Sequence, residues 1–397
     1  MMAKDIVDRR DRIWLLLLLF LALGLSAWIY ELANGLATTG MRGVISWGLY
    51  ICTFVFFVKL SAGGLIVASS AEVFEIDALR PLARLGALTA AVCILLAGLT
   101  LIPDLGRPER IANLLLHPNV RSPMIWDAVI VTLYLVLAVF EVRLMSNPTE
   151  TNRRRLRILA FVGLPAAFAL HSITAWIFGL QISHTFWNTA LMAPLFVVSA
   201  ILSGTALIAI IVGLMQTFGK LNVEAATWRK LGGLIAISLA LDLFFMFSEY
   251  LTVLWAGVPN EVATLRMALP GGEVSLVFWL EWIIGGIIPF ILLISRRTRS
   301  NIRAIVTSAA LVLIGVYSFQ IVLIPVGMAN PLIQLAPGNS LGTYAPGVSV
   351  FQYRGHYAPT WVEYFIILGL VALGALLLMI GWKYVPSQSS RELERGA

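Results

Sequence analysis

The chain alternates between long apolar runs and shorter polar segments. There are ten apolar runs, which are centred near residues 23, 58, 93, 133, 168, 202, 243, 285, 314 and 371. Each is about 20 residues long, the length that an α-helix needs to cross roughly 30 Å of hydrocarbon. The first run, from Ile13 to Ile29, follows basic residues as a secretory signal does, but it has no clear small-x-small cleavage site. The pattern therefore predicts ten transmembrane helices.

The composition agrees with this pattern. Of the 397 residues, 59% are hydrophobic and only 12% are charged, whereas about 25% of the residues of a soluble domain are charged. No polar stretch between the runs is long enough to bury a soluble core. We expect an all-α integral membrane protein that forms a single membrane domain over 1–397. Helices two to five (44–180) and six to nine (187–325) are expected to form two four-helix bundles, flanked by helices at 12–34 and 360–383.

Lysine and arginine are distributed unevenly between the two ends of the predicted helices. If the N-terminus is inside, 21 of the 28 basic residues fall in inner segments, six fall in outer segments, and Lys59 lies within the second helix. Because basic segments are retained in the cytoplasm, this distribution predicts that both termini are cytoplasmic. The net charge of +7 is explained by this topology, and no nucleic-acid partner is expected.

The outer segments differ from the inner ones in length. Segments 103–121, 257–273 and 326–359 are long and rich in Pro, Gly and Asn, whereas the inner connections are short and basic. Long ordered loops often carry function. They either cap the helix ends or form a docking surface for an extracytoplasmic partner, and we favour the docking surface.

Few residues of the chain are suited to binding a metal. Both cysteines, Cys52 and Cys93, lie inside apolar runs, so we expect no disulfide, thiolate zinc site or iron–sulfur cluster. Of the four histidines, His171 lies within a predicted helix. A b-type haem with two histidine ligands needs a second histidine in the membrane. The other histidines fall in outer segments: His117, His184 and His356. We therefore expect no haem and no metal, and place any redox metal on another chain.

Several ionisable residues fall within the predicted helices, most of them in the outer half. A charge at bilayer depth costs about 2.5–3.5 kcal/mol, so each of them needs a partner, a water-filled cavity or a neutral state. They are Lys59, Asp127, His171, Asp242, Glu249, Glu281 and Glu363.

Asp242 and Glu249 are seven residues apart and therefore share one helix face. They form a proton path, together with Glu281 and Lys59, or they are acids that are hydrogen-bonded between helices for packing; both interpretations stay open. Lys59 is either a counter-ion for one of these acids, which we favour, or an amine kept neutral by burial. His171 can likewise be a ligand or simply bond a neighbouring helix.

Two carboxylates and an arginine lie near the outer membrane boundary. Asp104 and Arg107 end the third helix, and Asp127 follows Trp126 at the start of the fourth. With His171 of the fifth helix, they can hydrogen-bond the oxygens of a quinone and exchange its protons, while Trp126 forms a wall of the pocket. The alternative is a helix-capping loop in which Asp104 pairs with Arg107.

At these residues the sequence resembles the NrfD-like family of polysulfide-reductase membrane subunits, and the resemblance covers nearly the whole chain. Six segments in order carry it: DLGRP (104–108), RSPMIWD (121–127), HSITAW (171–176), MAPLFVVSAILSG (192–204), FSEYLTVLWAG (247–257) and YAPTWVEY (357–364). The ten helices and the last segment are similar to the longer branch of the family, which includes hydrogenase membrane subunits and alternative complex III.

The resemblance implies a membrane subunit that binds menaquinone or ubiquinone near the outer face and carries no iron–sulfur cluster of its own. It implies exchange of electrons with an extracytoplasmic iron–sulfur subunit and, through it, with a catalytic subunit of the molybdenum or hydrogenase type, as in anaerobic respiration. It also implies a location in the bacterial inner membrane. In the longer branch the position matching Asp104 is often histidine, and this chain departs there; the position matching Asp127 is aspartate.

Two other functions compete with this interpretation. A proton or solute transporter also has buried acids along its helices, but the apolar runs lack paired Gly or Pro interruptions at matching positions in two halves. A structural anchor that binds no quinone is the third possibility. In every case, we expect no activity of this chain alone on the substrate of a partner.

Overall fold

The computed structural model describes residues 2–73, 80–147, 149–219, 221, 223–295, 298, 300–330 and 355–384. This part of the chain is helical and contains no strand. Ten of its helices are long and apolar enough to cross a membrane, which confirms the predicted all-α integral membrane fold. They are α1 (Met2–Asn34), α2 (Leu49–Val73), α3 (Arg80–Asp104), α4 (Pro123–Ser146), α5 (Glu150–Gly179), α6 (Met192–Thr217), α7 (Ala225–Ala256), α8 (Ser275–Ile294), α9 (Ile302–Val326) and α10 (Trp361–Tyr384).

Capping residues explain where several helices begin. Pro123 starts α4 at a position where its missing N–H costs nothing. The Thr149 hydroxyl accepts a 3.2 Å hydrogen bond from the backbone N–H of Asn152 and so caps α5. Because of this cap the basic residues Arg153 and Arg157 lie in the first turns of α5, beyond its apolar part, rather than in a loop.

Two helices contain wider π-helical turns that the apolar pattern does not reveal. In α8 the π segment runs over Trp279–Ile287, and in α9 it runs over Val322–Val326 and contains Pro325. A π turn rotates the side chains that follow it relative to a regular helix, and such turns often occur at functional sites. The first of them carries Glu281.

The helices contact one another in a definite order. Helices α2, α3, α4 and α5 contact in sequence, and α5 returns to α2; α6 contacts both α7 and α9, and α8 contacts both of the same two helices. Helix α1 pairs with α10, which lies against α3. The division into two bundles stays a prediction, since α2 and α5 also contact α6.

Helices α2 and α6 cross in close contact. A Cβ atom on Gly63 would lie 2.2 Å from the Cα of Gly204, so only glycine lets the two backbones approach this closely. Helix α2 is correspondingly enclosed, with 89% of its apolar stretch buried, against 11% for α1. Ionisable side chains on α2 are therefore shielded from lipid.

The connections at one end of the helices carry short helices of their own. Segment 103–121 includes a helix over Ile111–Leu116, and segment 257–273 includes one over Pro259–Ala268. Of segment 326–359, the stretch 331–354 lies outside the described residues. Asn330, which follows the end of α9, donates a 3.0 Å hydrogen bond to the hydroxyl of Thr264 in the second short helix.

Candidate functional site

Asp127 is buried at the start of α4, with 5% of its surface exposed. Its Oδ1 accepts a 2.5 Å hydrogen bond from the Thr174 hydroxyl of α5. The same hydroxyl lies 2.9 Å from the carbonyl oxygen of Leu170, so it cannot serve both acceptors fully with its single proton. The carboxyl group of Asp127 is thus held at the contact between α4 and α5, one turn below the helix start.

His171 lies one turn from Thr174 on the same face of α5 and is 1% exposed. Its Nδ1 is 2.7 Å from the carbonyl oxygen of Ala167, and its Nε2 is 3.2 Å from that of Val58 on α2. Both neighbours are acceptors, and a neutral imidazole has only one N–H to donate. In this structure His171 therefore links α5 to α2, and a ligand oxygen has to replace one of the two carbonyl groups to reach it.

Asp104 ends α3, and the structure separates it from Arg107. Its Oδ1 is buried and has no hydrogen-bond partner among the described residues, while Arg107 is exposed. The charges that act on Asp104 are the carboxylates of Glu31 and Glu363, and Asp127 is not among them. The structure therefore places Asp127 and His171 close to the same contact between α4 and α5. It places neither Arg107 nor Asp127 beside Asp104.

Trp126 lies in the first turn of α4 and is 39% exposed. Its indole N–H donates a 2.8 Å hydrogen bond to the carbonyl oxygen of Val120 and so closes the turn before α4.

Sequence analysis missed that a second set of acids lies beside Asp104. Glu31 of α1 is hydrogen-bonded by the hydroxyl of Tyr50, and Glu363 of α10 accepts a 2.5 Å hydrogen bond from the hydroxyl of Tyr357. Burial and the Glu363 carboxylate raise the pKa of Tyr357, which keeps this hydroxyl protonated as a donor.

One signal in the sequence indicates the role of Glu363. It stands three residues after Thr360, which is the spacing of a capping box. Its Oε2 accepts hydrogen bonds from the backbone N–H groups of Thr360 (3.0 Å) and Gly40 (2.7 Å). This carboxylate therefore caps α10 and fixes the connection after α1.

Lys59, in the middle of α2, is fully buried. Its Nζ donates a 3.3 Å hydrogen bond to the hydroxyl of Ser199 on α6 and lies 4.2 Å from the centre of the Phe196 ring. Asp242 and Glu281 interact with it electrostatically. Both acids and Ser199 line one small cavity among α6–α9, and Lys59 reaches the edge of this cavity through its hydrogen bond to Ser199.

The acids of α7 are divided between two cavities. Asp242 lines the first, together with Glu281, which accepts a 3.1 Å hydrogen bond from the hydroxyl of Tyr250. Glu249 lines a second, neighbouring cavity and accepts a 2.9 Å hydrogen bond from the hydroxyl of Thr189. Tyr250 lines the second cavity and reaches Glu281 in the first, so it connects the two.

Comparison with known proteins identifies the family of this chain. Residues 37–331 match the family described as "Polysulphide reductase, NrfD". The chain belongs to the NrfD family. It is 37% identical to a putative dimethyl sulfoxide reductase membrane subunit of Halobacterium salinarum, over 94% of this chain and 91% of that one.

Two further relatives of this NrfD chain cover most of its length. It is 27% identical to the Hdr-like menaquinol oxidoreductase integral membrane subunit of Archaeoglobus fulgidus, over 94% of this chain and 92% of that one. It is 25% identical to the probable Ni/Fe-hydrogenase 2 b-type cytochrome subunit of Escherichia coli, over 87% and 84%. The chain is a membrane subunit of an oxidoreductase complex, as the family and these relatives indicate.

The chemistry available to this NrfD chain is that of carboxyl, hydroxyl, imidazole and amine groups. Among the described residues, no three His, Cys, Asp or Glu side chains are arranged to hold a metal ion. Both cysteines are buried within helices, Cys52 in α2 and Cys93 in α3. The groups that the structure gathers are suited to binding polar ligands and moving protons.

Proposed function

We propose that this NrfD chain is the quinone-binding membrane subunit of its oxidoreductase complex, using menaquinone or ubiquinone and no haem. A quinone supplies the chemistry of accepting or releasing two electrons with two protons. In the outer half of α3, α4 and α5, Asp127 and Asp104 exchange protons with the quinone oxygens. His171 donates a hydrogen bond once the carbonyl of Val58 is displaced.

One observation carries this assignment: the contacting helices α3 and α4 each hold a carboxyl group at the same end, and the buried Oδ1 of Asp104 has no hydrogen-bond partner among the described residues. Asp127 has a hydroxyl for a partner at Oδ1, and Oδ1 of Asp104 has none among the described residues. Buried polar atoms are normally hydrogen-bonded, so the unpaired Oδ1 of Asp104 suits a ligand that brings a hydrogen-bond donor, as the hydroxyl of a quinol does. Arg107 and Trp126 are both exposed, and we assign them to the entrance of the site.

The partner of this site is an extracytoplasmic iron–sulfur subunit that exchanges electrons with a molybdenum or hydrogenase-type catalytic subunit. The basic residues support an orientation in which both termini are cytoplasmic and the ends carrying Asp104 and Asp127 face outward. The described residues form no cluster of three His, Cys, Asp or Glu side chains for a metal, so we place the partner's cluster directly over segment 103–121, close to the quinone. Segment 326–359 belongs to the same docking surface.

The acids around Lys59 move further protons during the same reaction. Asp242, Glu281 and, through Tyr250, Glu249 form a polar sequence from the middle of the membrane towards the outer ends. We assign them to proton exchange between the interior and the outer aqueous phase.

Substitution of Asp127 tests the quinone site in the purified complex. Asp127→Asn keeps the size of the side chain but cannot take up a proton, so quinone-linked activity should fall about 10²–10⁴-fold. Reaction of the docked partner with an artificial electron carrier should stay at the wild-type level. Thr132→Val, on the lipid-facing side of α4, is the matched control. Wild-type quinone kinetics and inhibitor binding in Asp127→Asn would refute this site.

A further inference from the structure

Helix α4 carries three buried polar side chains at equal intervals. Asp127, Tyr134 and Glu141 are seven residues apart and are 5%, 0% and 1% exposed. Seven residues correspond to about two turns and roughly 10 Å, so the three side chains lie in one row on one face. Positions on the opposite face are apolar and exposed, as at Val136 and Phe140. The row extends from the outer end of α4 to within two turns of its inner end.

The middle of the row is connected to His171. The hydroxyl of Tyr134 donates a 3.0 Å hydrogen bond to the carbonyl oxygen of Ser61 on α2, and the hydroxyl of Ser61 donates a 2.7 Å bond to the carbonyl oxygen of Val58. That carbonyl oxygen is the one that lies 3.2 Å from Nε2 of His171. Polar groups of α2, α4 and α5 therefore meet at this level of the membrane.

At the inner end of the row, the packing of the helices leaves space for a carboxyl group. Oε1 of Glu141 accepts a 3.4 Å hydrogen bond from the hydroxyl of Ser69 on α2. A Cβ on Gly163 of α5 would lie 3.2 Å from this Oε1 and 3.3 Å from the Ser69 hydroxyl, so the glycine leaves room for both groups. Hydrophobic packing alone does not need an acid here, because burying a carboxyl group is costly.

We propose that Asp127, Tyr134 and Glu141 form a proton route through α2–α5, from the cytoplasmic end of α4 to the quinone site. The route is separate from the acids around Lys59, and it rests on the quinone-binding function proposed above. Hydroxyl groups such as those of Ser69 and Tyr134 accept one proton while donating another. The levels of the row are roughly 10 Å apart, so proton transfer along the route requires water molecules between them.

The route determines which side of the membrane supplies the protons. Reduction of one quinone takes two electrons from the iron–sulfur partner outside and two protons through Glu141 from the inside. Quinol oxidation sends the same two protons back to the inside. In either direction charge moves across the membrane with each turnover.

Liposomes containing the purified complex, with the partner facing outward, test this route. Reduced methyl viologen added outside supplies electrons without protons, menadione accepts them, and a pH dye is trapped in the lumen. In the wild type, two protons should disappear from the lumen per menadione reduced. In Glu141→Gln, lumenal proton uptake and menadione turnover should fall about 100-fold, while a fluorescent quinone-site inhibitor binds as before. Glu141→Asp should restore part of both rates.

Glu150→Gln is the matched control, since Glu150 is an acid at the same end of the helices with its side chain 92% exposed. Wild-type lumenal proton uptake in Glu141→Gln would overturn the route. If Glu141→Gln does not assemble, Tyr134→Phe decides by the same measurement, because it removes only a hydroxyl. If the wild-type complex takes its protons from outside, the route alone is refuted. If the complex neither reduces menadione nor binds the inhibitor, the quinone-binding function is refuted as well.

Discussion

The hydroxyl of Thr174 on α5 is the hydrogen-bond donor to Oδ1 of Asp127 on α4, at 2.5 Å. Because this bond crosses between two helices, it fixes the direction of the carboxyl group relative to His171, one turn away on α5.

Loss of this hydroxyl should therefore affect quinone chemistry without affecting assembly. In Thr174→Val the shape is retained and the donor is lost; a hydrogen bond to a charged group contributes about 1.5–3 kcal/mol, so quinone-linked turnover should fall at least about tenfold. Thr132→Val, which removes an exposed hydroxyl from α4, should have no effect. Steady-state kinetics with menadione measure both, and equal rates in the two variants would exclude a role for this bond.

The acids around Lys59 should influence turnover differently from Glu141. Asp242→Asn and Glu281→Gln should slow quinone-linked turnover about tenfold or more, while the number of lumenal protons consumed per quinone stays at two. Glu224→Gln, which removes an exposed acid just before α7, is the control. If neither acid variant changes turnover, the interpretation as hydrogen-bonded packing is correct.

Labelling of single cysteines tests the orientation of the chain. Asn119 and Asn147 are both exposed and lie at opposite ends of α4. In intact cells that lack the partner subunit, a membrane-impermeant maleimide should modify Asn119→Cys, and should modify Asn147→Cys only after permeabilisation. The native Cys52 and Cys93 are buried and give little background. The reverse labelling pattern would place the basic ends outside.

Crosslinking tests the docking surface with the same two positions. A photo-crosslinker attached at Asn119 should capture an iron–sulfur subunit, because this residue lies in segment 103–121. Attached at Asn147, it should not. Capture of that subunit only from Asn147 would move the docking surface to the other side.

The crossing of α2 and α6 should tolerate no side chain. In Gly63→Ala the added Cβ lies 2.2 Å from the backbone of Gly204, so the helices must separate, and overpacking of this kind costs about 1–3 kcal/mol. In Gly98→Ala on α3 the added Cβ has no atom within 4 Å. Thermal unfolding in detergent should show a lower Tm for the first variant than for the second. Equal values would mean that the crossing adjusts freely.

The sequence predicts the helices well because crossing a bilayer requires about 20 apolar residues whatever the helix contacts. It also predicts that Asp242 and Glu249 share a helix face, since periodicity reveals which residues lie together on one helix. It does not reveal which helix that face meets. The placement of Asp242 with Lys59, and of Glu249 with Thr189, depends on packing between helices that are distant in the sequence.

Two features of the site were missed for related reasons. Glu31 and Glu363 lie beside Asp104 only because α1 pairs with α10, a contact between the two ends of the chain. The π segment that carries Glu281 has ordinary apolar neighbours, so nothing in its composition distinguishes it from an α-helix. Tyr134 and Glu141, by contrast, stand at steps of seven from Asp127, so their row was within reach of the sequence pattern.

The contact between Gly63 and Gly204 also bears on how anything crosses this molecule. Transporters alternate access by rocking one half of the structure against the other around a central site. Here the backbones of α2 and α6, which belong to the two predicted bundles, touch, and Lys59, one turn away, donates a hydrogen bond from α2 to Ser199 on α6. Such a joint has no clearance for rotation, so α2 and α6 form a stationary frame at this crossing.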